Sequence, residues 1–175
     1  TGFVYFSGVI TFCFYSLIHL KRMLPFAEYR YDAIYFILLI LCFAWGGDTA
    51  AYFAGRAFGR HKLAPIVSPH KTVEGAVGGF AGAVVCSVLY GALLQFAFRW
   101  QVSYAALALY GALGSVVSQL GDLSFSYIKR EYGIKDFGNI FPGHGGVLDR
   151  FDSVIFCAPL IELLIRILPA VGVGA

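Results

Sequence analysis

Long apolar segments are the feature that most constrains the fold of this 175-residue chain. A helix needs about 20 mostly apolar residues to cross the hydrocarbon core of a bilayer. Here 59% of the residues are hydrophobic and only 13% are charged. We therefore predict an all-α, polytopic bundle of transmembrane helices that forms a single integral-membrane domain over residues 1–175. The five predicted spans are residues 3–20, 33–54, 73–98, 104–123 and 153–171.

The loops between these spans differ in charge. Residues 55–72 and 124–152 together hold eight Lys and Arg, whereas residues 21–32 and 99–103 together hold four. The positive-inside rule places the first two loops in the cytoplasm. Loops on one side of the membrane can build one site together. We predict a polar active-site loop between spans four and five on the cytoplasmic side, and a bacterial inner membrane, because the loops are short and no targeting sequence is visible.

The start of the chain and its cysteines bear on the domain organisation and on the kind of site. The chain begins with Thr1 inside an apolar run, so we expect additional spans to precede it. Its four cysteines lie far apart in apolar segments without a CxxC pair, which favours buried hydrophobic roles over a zinc or redox site.

Charged residues concentrate between residues 126 and 153, where the chain holds four of its 13 Lys and Arg and four of its 10 Asp and Glu. Desolvating so many charges is costly unless they meet opposite charge, a metal or a polar ligand. If span four continues as a helix, spacings of three and four place Asp122, Ser126, Lys129 and Arg130 on broadly one face. The glycines after His144 allow a ligand to approach the backbone closely. Lys135, Gly145, Gly146, Asp149, Arg150 and Asp152 complete this group.

A second polar group flanks the loop at 55–72. Asp48 lies inside an apolar span, where an ionisable side chain is a functional candidate or a structural ion pair. Ser68 and Pro69 end an extended stretch, and we predict that a helix starts at His70, with its free N–H groups beside Lys71. This arrangement suits phosphate, but GxxxxGK[ST] is absent, so a Walker-type NTPase is not indicated.

These residue types favour phosphoryl or nucleotidyl transfer. The carboxylates Asp122, Asp149 and Asp152 are hard oxygen donors for Mg²⁺, which usually takes one or two carboxylates and completes its shell with water and phosphate. The basic residues would neutralise phosphate oxygens and a pyrophosphate leaving group. Asp149 and Asp152 could alternatively cap a helix, His144 could serve either proton transfer or a structural hydrogen bond, and Glu162 and Arg166 are predicted to form an ion pair.

The residues as a set resemble a known family. The pattern Ser126-x-Ile128-Lys129-Arg130-x4-Lys135-Asp136-x5-Pro142-x-His144-Gly145-Gly146-x2-Asp149-Arg150-x-Asp152 resembles the signature of phosphatidate cytidylyltransferases, also called CDP-diacylglycerol synthases. Gly47-Asp48-x-x-Ala51-Tyr52 and Ser68-Pro69-x-Lys71-Thr72-x-Glu74-Gly75 are also similar to that family. The resemblance runs from about residue 46 to residue 153.

The resemblance implies transfer of CMP from CTP to phosphatidic acid, with Mg²⁺, a second cation such as K⁺, and a homodimer among membrane lipids. We expect no nucleic-acid partner. The implied metal ligands are Asp122 and Asp149, with Asp152 as a weaker candidate. The implied catalytic residues are Asp122, Lys129, Arg130, Lys135, His144, Asp149 and Arg150. The implied substrate-binding residues are Asp48, Ser68, Lys71, Thr72, Ser126, Gly145 and Gly146.

Three alternatives remain from the sequence. A CTP-dependent polyprenol or other lipid kinase uses related motifs and the same nucleotide. A CDP-archaeol-type synthase would differ only in the lipid tails. An anion transporter is less consistent with the pattern, because no inverted repeat is evident and the charges concentrate on one side of the spans.

Overall fold

The computed structural model of this chain describes residues 2–23, 32–138, 146 and 148–172, which form five helices and four short strands. The prediction of an all-α bundle is confirmed, because the strands are only two to five residues long. The elements in chain order are α1 (Gly2–Met23), α2 (Asp32–Phe58), β1 (Lys62–Ala64), β2 (Ser68–Thr72), α3 (Val73–Phe98), β3 (Gln101–Val102), α4 (Tyr104–Glu131), α5 (Leu148–Ile167) and β4 (Val171–Gly172).

The helices correspond to the five predicted spans, but several bounds differ. Within the described residues, three helical segments are long and apolar enough to cross a membrane: Ile34–Phe58, Val73–Phe98 and Tyr104–Glu131. The described apolar part of α1 is the shorter Ser7–Leu20. The prediction of a last span over residues 153–171 is wrong in its bounds, because α5 begins at Leu148, ends at Ile167 and is followed by a strand.

Small residues bring α2 and α3 into close contact. A Cβ added at Gly78 would lie 2.2 Å from the Cβ of Ala54, and one added at Gly82 would lie 2.3 Å from the Cβ of Ala50. Such small-residue contacts let helix backbones approach closely in membranes. Gly91, where a Cβ would meet a Leu107 methyl group at 2.1 Å, plays the same role against α4. These three glycines therefore serve helix packing.

The core lies between α2, α4 and α5. Phe43 of α2 and Tyr110 of α4 are fully buried, and Ile161 of α5 packs in the same cluster. The helix α1 joins this core through Leu20 and through a hydrogen bond of 2.8 Å between His19 and Glu162. Arg166 donates to Glu162 at 3.1 Å, which confirms the predicted ion pair, and His19 is a second partner of the same carboxylate.

The two ends of the bundle are closed differently. At one end β3 pairs with β4, and the Ser103 N–H donates to the Ala170 carbonyl at 2.9 Å. At the other end β1 and β2 form an antiparallel hairpin, here called the β1–β2 hairpin (residues 62–72), between α2 and α3. This hairpin lies at the same end as the last turns of α4 and the first turn of α5, because its residues contact α4.

The start of α3 differs from the prediction. His70 and Lys71 lie in β2, and the helix begins at Val73 with Thr72 as its N-cap. The Thr72 backbone is extended, and its hydroxyl accepts a hydrogen bond from the Gly75 N–H at 3.1 Å. The strand pairing of Thr72 with Lys62 keeps this segment out of the helix, and a threonine at the N-cap satisfies one of the free N–H groups.

Candidate active site

A cavity of about 580 Å³ opens between α2, the β1–β2 hairpin, α3 and α4. It lies at the hairpin end of the bundle. Its polar lining comes from three elements, α2, β2 and α4: Asp48, Tyr52, Arg56, His70, Lys71, Thr72, Gln119 and Asp122. Ala51, Gly55, Gly75 and Ala76 line it with little side-chain volume, so the close contact of α2 and α3 leaves room for a ligand.

An ion pair joins the hairpin to α4 inside this cavity. The Lys71 ammonium donates to Asp122 Oδ2, and both side chains are more than two-thirds buried. The Ser126 hydroxyl donates to the other carboxylate oxygen, Oδ1, at 3.4 Å from one turn further along α4. The continuation of α4 beyond residue 123 is what places Ser126 on the same face as Asp122.

A second ion pair joins the end of α4 to the start of α5. Lys129 Nζ lies 3.0 Å from Asp149 Oδ1 and 3.7 Å from Asp152 Oδ2. The Lys129 side chain is 12% exposed and that of Asp149 is 6% exposed, so these charges are compensated away from bulk water. The ammonium also lies 5.3 Å from the centroid of the Phe137 ring, which adds a cation–π contact.

The Asp149 side chain binds backbone N–H groups of the connection between α4 and α5. Its Oδ2 accepts from the Phe137 N–H and from the Gly146 N–H, both at 2.9 Å. The Lys129 ammonium lies against the other oxygen, Oδ1, so both oxygens of the carboxylate are occupied. Asp149 therefore serves both as an ion-pair partner of Lys129 and as an anchor of the connection.

Asp152 lies between the two ion pairs. It is buried, and its carboxylate is close enough to Asp122 and Asp48 for the three negative charges to repel one another. The neighbouring Ser153 hydroxyl interacts with the Asp48 carboxylate. Carboxylates from α2, α4 and α5 thus converge where Lys71 and Lys129 supply positive charge.

The family comparison agrees with this geometry. The family model described as "Cytidylyltransferase family" matches residues 2–168, which is nearly the whole chain. The chain belongs to the cytidylyltransferase family. This match confirms the resemblance of the sequence motifs to the cytidylyltransferases.

Bacterial relatives carry a more specific name. The chain is 40% identical over 155 residues to a phosphatidate cytidylyltransferase of Staphylococcus haemolyticus, covering 88% of this chain and 58% of the relative. It is 38% identical over 167 residues to that of Bacillus subtilis, covering 95% and 58%. It is 47% identical over 127 residues to that of Brucella suis, covering 73% and 45%. The chain thus spans less than two-thirds of the length of these relatives.

The cytidylyltransferase motif residues divide by position. Asp48, Lys71, Thr72 and Asp122 line the cavity, with Ser126 bonded to Asp122. Lys129, Gly146, Asp149 and Asp152 form the adjoining cluster. Thr72 also caps α3. The backbone of Arg150 lies in α5, whereas its side chain, His144 and Gly145 lie outside the described residues.

Three motif residues occupy other positions. Arg130 is exposed and donates through Nε to the Val67 carbonyl at 3.4 Å, so it fastens the hairpin to α4. Lys135 is exposed on the connection after α4. Ser68 is half-buried at the start of β2. None of these three lines the cavity among its described residues.

Four polar cavity residues were not predicted as site residues: Tyr52, Arg56, His70 and Gln119. Spacings of four residues place Tyr52 and Arg56 on the same face of α2 as Asp48, and Arg56 donates to the Tyr52 hydroxyl at 3.1 Å. That periodic signal could have identified the α2 pair. Gln119 lies three residues before Asp122, but a single amide in an apolar span gives no comparable signal.

The carboxylates suit a hard cation, although among the described residues no group of three or more His, Cys, Asp or Glu side chains is arranged to hold a metal ion. Asp122 and Asp152 offer hard oxygen atoms close to each other and to the cavity. Mg²⁺ requires only one or two carboxylates when phosphate and water complete its shell. The donor chemistry therefore fits Mg²⁺ bound together with a phosphate ligand.

Proposed function

We propose that the full-length protein transfers CMP from CTP to phosphatidic acid, giving CDP-diacylglycerol and pyrophosphate for phospholipid synthesis. The observation that carries this proposal is the convergence of Asp48, Asp122 and Asp152 with Lys71 and Lys129 at one end of a membrane bundle. The motif resemblance and the names of the relatives support the identity of the substrates.

The cavity geometry supports a site shared by a soluble and a lipid substrate. CTP would enter from the hairpin end, which the positive-inside rule assigns to the cytoplasm. Phosphatidic acid would enter laterally, with its phosphate reaching Lys71 and Arg56 while its acyl chains stay in the leaflet. This arrangement would place the reacting groups near the interface, where α2, α4 and α5 meet.

The residues would contribute chiefly by position and charge. A lipid phosphate oxygen would attack the α-phosphorus of CTP in line, forming one P–O bond while the bond from the α-phosphorus to the bridging oxygen breaks and pyrophosphate leaves. The attacking phosphate is already an anion, so no general base is required. Lys71 would orient one phosphate, and Lys129 would stabilise charge on pyrophosphate. Arg130, Lys135 and Arg150 are the further phosphate-binding residues that the motif resemblance implies.

Asp122 and Asp152 would hold Mg²⁺ together with a substrate phosphate, and Asp149 is the further ligand that the motif resemblance implies. A second cation such as K⁺ would occupy the same region. Bound there, the cation would neutralise charge on the α-phosphate and the leaving group. We also propose a homodimer and a bacterial inner membrane with the cavity facing the cytoplasm. The greater number of Lys and Arg residues in residues 55–72 and 124–152 than in the other loops supports this orientation.

An omission experiment tests the proposed reaction. The full-length protein in mixed micelles is given CTP, Mg²⁺ and phosphatidic acid, and pyrophosphate release is followed while each component is left out in turn. We expect release only when all three are present. Pyrophosphate release that does not depend on lipid, or its absence under every condition, would contradict the proposal.

A further inference from the structure

We infer that Gln119 recognises the base of the nucleotide, with its side-chain oxygen accepting a hydrogen bond from the 4-amino group of cytosine. This inference rests on the proposed function and adds to it the residue that distinguishes CTP from UTP. Gln119 is half-buried in α4 and lines the cavity three residues before Asp122. It is the one neutral amide side chain in the described lining.

The orientation of this amide is fixed by its neighbours. Gln119 Nε2 lies 3.2 Å from the Ala76 carbonyl oxygen and 3.0 Å from Ser115 Oγ. A carbonyl oxygen only accepts hydrogen bonds, so the amide nitrogen, and not the oxygen, must face Ala76. Both N–H bonds are then used. Among the described residues none donates to Oε1, which leaves that oxygen as the acceptor available to a ligand.

The position of Gln119 separates it from the charged part of the cavity. Along α4, Gln119 lies nearly one turn before Asp122 and so further from Lys129. Its neighbours in the lining are Ala76 and Leu123. The groups suited to phosphate, Lys71 and Asp122 with a bound cation, lie towards the hairpin. A flat, neutral ring therefore fits beside Gln119 while the phosphates extend towards the hairpin and the α4–α5 connection.

The hydrogen-bonding pattern selects the base. Cytosine carries an amino group at position 4, which donates to an acceptor oxygen. Uracil carries a carbonyl oxygen at the same position, which would face Oε1 with no hydrogen between them. The ester oxygens of phosphatidic acid only accept hydrogen bonds, so they cannot satisfy Oε1, and its anionic phosphate is attracted to Lys71 and Arg56 instead. Such a site discriminates strongly between CTP and UTP, because bound UTP would leave the Gln119 side-chain oxygen without a hydrogen-bond donor.

The test compares CTP and UTP as substrates for the full-length protein and its Gln119→Met variant. Methionine is close in length and unbranched, so the cavity shape is kept while the acceptor is removed. We expect kcat/KM for CTP to fall about tenfold or more, whereas kcat/KM for UTP stays within about twofold, because one hydrogen bond is lost for CTP only. Calorimetric titration of each nucleotide into the lipid-free protein should show the same loss of preference.

Matched variants keep the result interpretable. Gln95→Met removes an amide outside the cavity, where Gln95 bonds Tyr104 at the end of α3, and should leave the CTP-to-UTP ratio unchanged. Ser115→Ala removes one of the two anchors of the Gln119 amide and should lower the ratio less than Gln119→Met does. It also tests the inference if Gln119→Met fails to fold.

The outcomes separate this inference from the proposed function. An active wild-type protein whose Gln119→Met variant keeps the wild-type CTP-to-UTP ratio would overturn the inference alone. Equal losses for both nucleotides would assign Gln119 to a shared feature such as the ribose, which also overturns it. A wild-type protein that forms no CDP-lipid from CTP would overturn the proposed function before base selection is considered.

Discussion

Lys71 and Asp122 form the ion pair that joins the β1–β2 hairpin to the transmembrane part of the fold. Their side chains are 27% and 28% exposed, so the pair is partly screened and both groups remain accessible from the cavity. A substrate phosphate could therefore take over Lys71 while a cation takes over Asp122, without a charge being left unpaired.

Replacing Lys71 with Met should lower kcat by about 10²–10³-fold, the effect typical of losing one preorganised charge-stabilising donor. Lys62→Met, on the neighbouring strand, is the matched control, because Lys62 is exposed and lies outside the described cavity lining. Steady-state rates with CTP and phosphatidic acid provide the measurement. A Lys71→Met enzyme as active as the Lys62→Met enzyme would show that Lys71 has only a structural role.

Replacing Asp149 with Ala should destabilise the protein and abolish activity. The change releases two backbone N–H groups and leaves Lys129 buried. Breaking a buried pair costs about 3–5 kcal/mol, and we expect the lower end because Asp152 stays 3.7 Å from Lys129. Denaturant unfolding in detergent, with the exposed Asp136→Ala as control, measures the cost. More than a tenth of the activity remaining would refute the metal-ligand role.

At this scale the sequence located charged residues better than it located their partners. The clustering of charge after residue 122 pointed to Asp122, Lys129 and Asp149, because ionisable groups are costly beside lipid. It could not show that Asp149 binds the Phe137 backbone, since that contact depends on how the connection folds. Gln119 was missed because its significance depends on a carbonyl group of another helix.

Among the elements, the α2–α3 pair determines the shape of the cavity wall. The contact runs from Gly47 of α2 to Gly75 of α3, and along it glycines of one helix face alanines of the other. Backbone atoms of one helix therefore meet side chains of the other. Association of helices in lipid depends on such packing, because there is no hydrophobic driving force between them.

Replacing Gly82 with Ala should destabilise this contact, because the new Cβ would lie 2.3 Å from that of Ala50. Overpacking of a tight interior costs about 1–3 kcal/mol. Gly8→Ala is the matched control, since a Cβ there meets nothing within 4 Å, and a helical Gly→Ala change should be neutral or stabilising by up to about 1 kcal/mol. Thermal unfolding in detergent compares them. Equal effects of the two changes would contradict the tight α2–α3 contact.

Glu74 fastens the end of α2 to the start of α3. Its carboxylate accepts from the backbone N–H groups of Arg60 and His61 and from the His61 ring, the last at 2.7 Å. Val73 also donates from its N–H to the His61 carbonyl. The residues just before β1 are therefore bound to the start of α3 by both backbone and side-chain hydrogen bonds, at the base of the hairpin that carries Lys71.

Glu74→Ala should therefore loosen the hairpin, raise the rate of proteolysis within residues 59–68 and lower kcat/KM. Glu131→Ala, an exposed acidic change at the end of α4, should have neither effect. Limited proteolysis in micelles, analysed by mass spectrometry, provides the readout. Unchanged cleavage in Glu74→Ala would mean that the strand pairing alone holds the hairpin.

The sequence predicted which elements exist better than where they end. Hydropathy falls after residue 123, so the predicted fourth span ends there, yet α4 continues to Glu131 with Phe125 and Ile128 buried. A helix can leave the apolar layer and still bury one face in protein, which a hydropathy average cannot register. The β1–β2 hairpin was also missed, because strands of three and five residues carry little periodic signal.

For the whole molecule, residues 55–72 before α3 and residues 124–152 at the end of α4 and after it are predicted to lie on one side. The contacts of Lys71 with Asp122 and of Arg130 with Val67 confirm that these two segments meet at one end of the bundle. Lys71 and Arg130 are in the same two segments whose positive charge predicts the cytoplasmic side. One asymmetry of charge thus accounts for both the proposed orientation and the proposed anionic substrates.

The fate of the CTP phosphates tests the central claim most directly. The full-length protein is incubated with phosphatidic acid, Mg²⁺ and CTP labelled at either the α- or the γ-phosphate, and the lipid fraction is counted. Nucleotidyl transfer predicts that the α-label enters the lipid and the γ-label leaves as pyrophosphate. Entry of the γ-label into a lipid, with CDP released, would contradict the account and indicate a CTP-dependent lipid kinase.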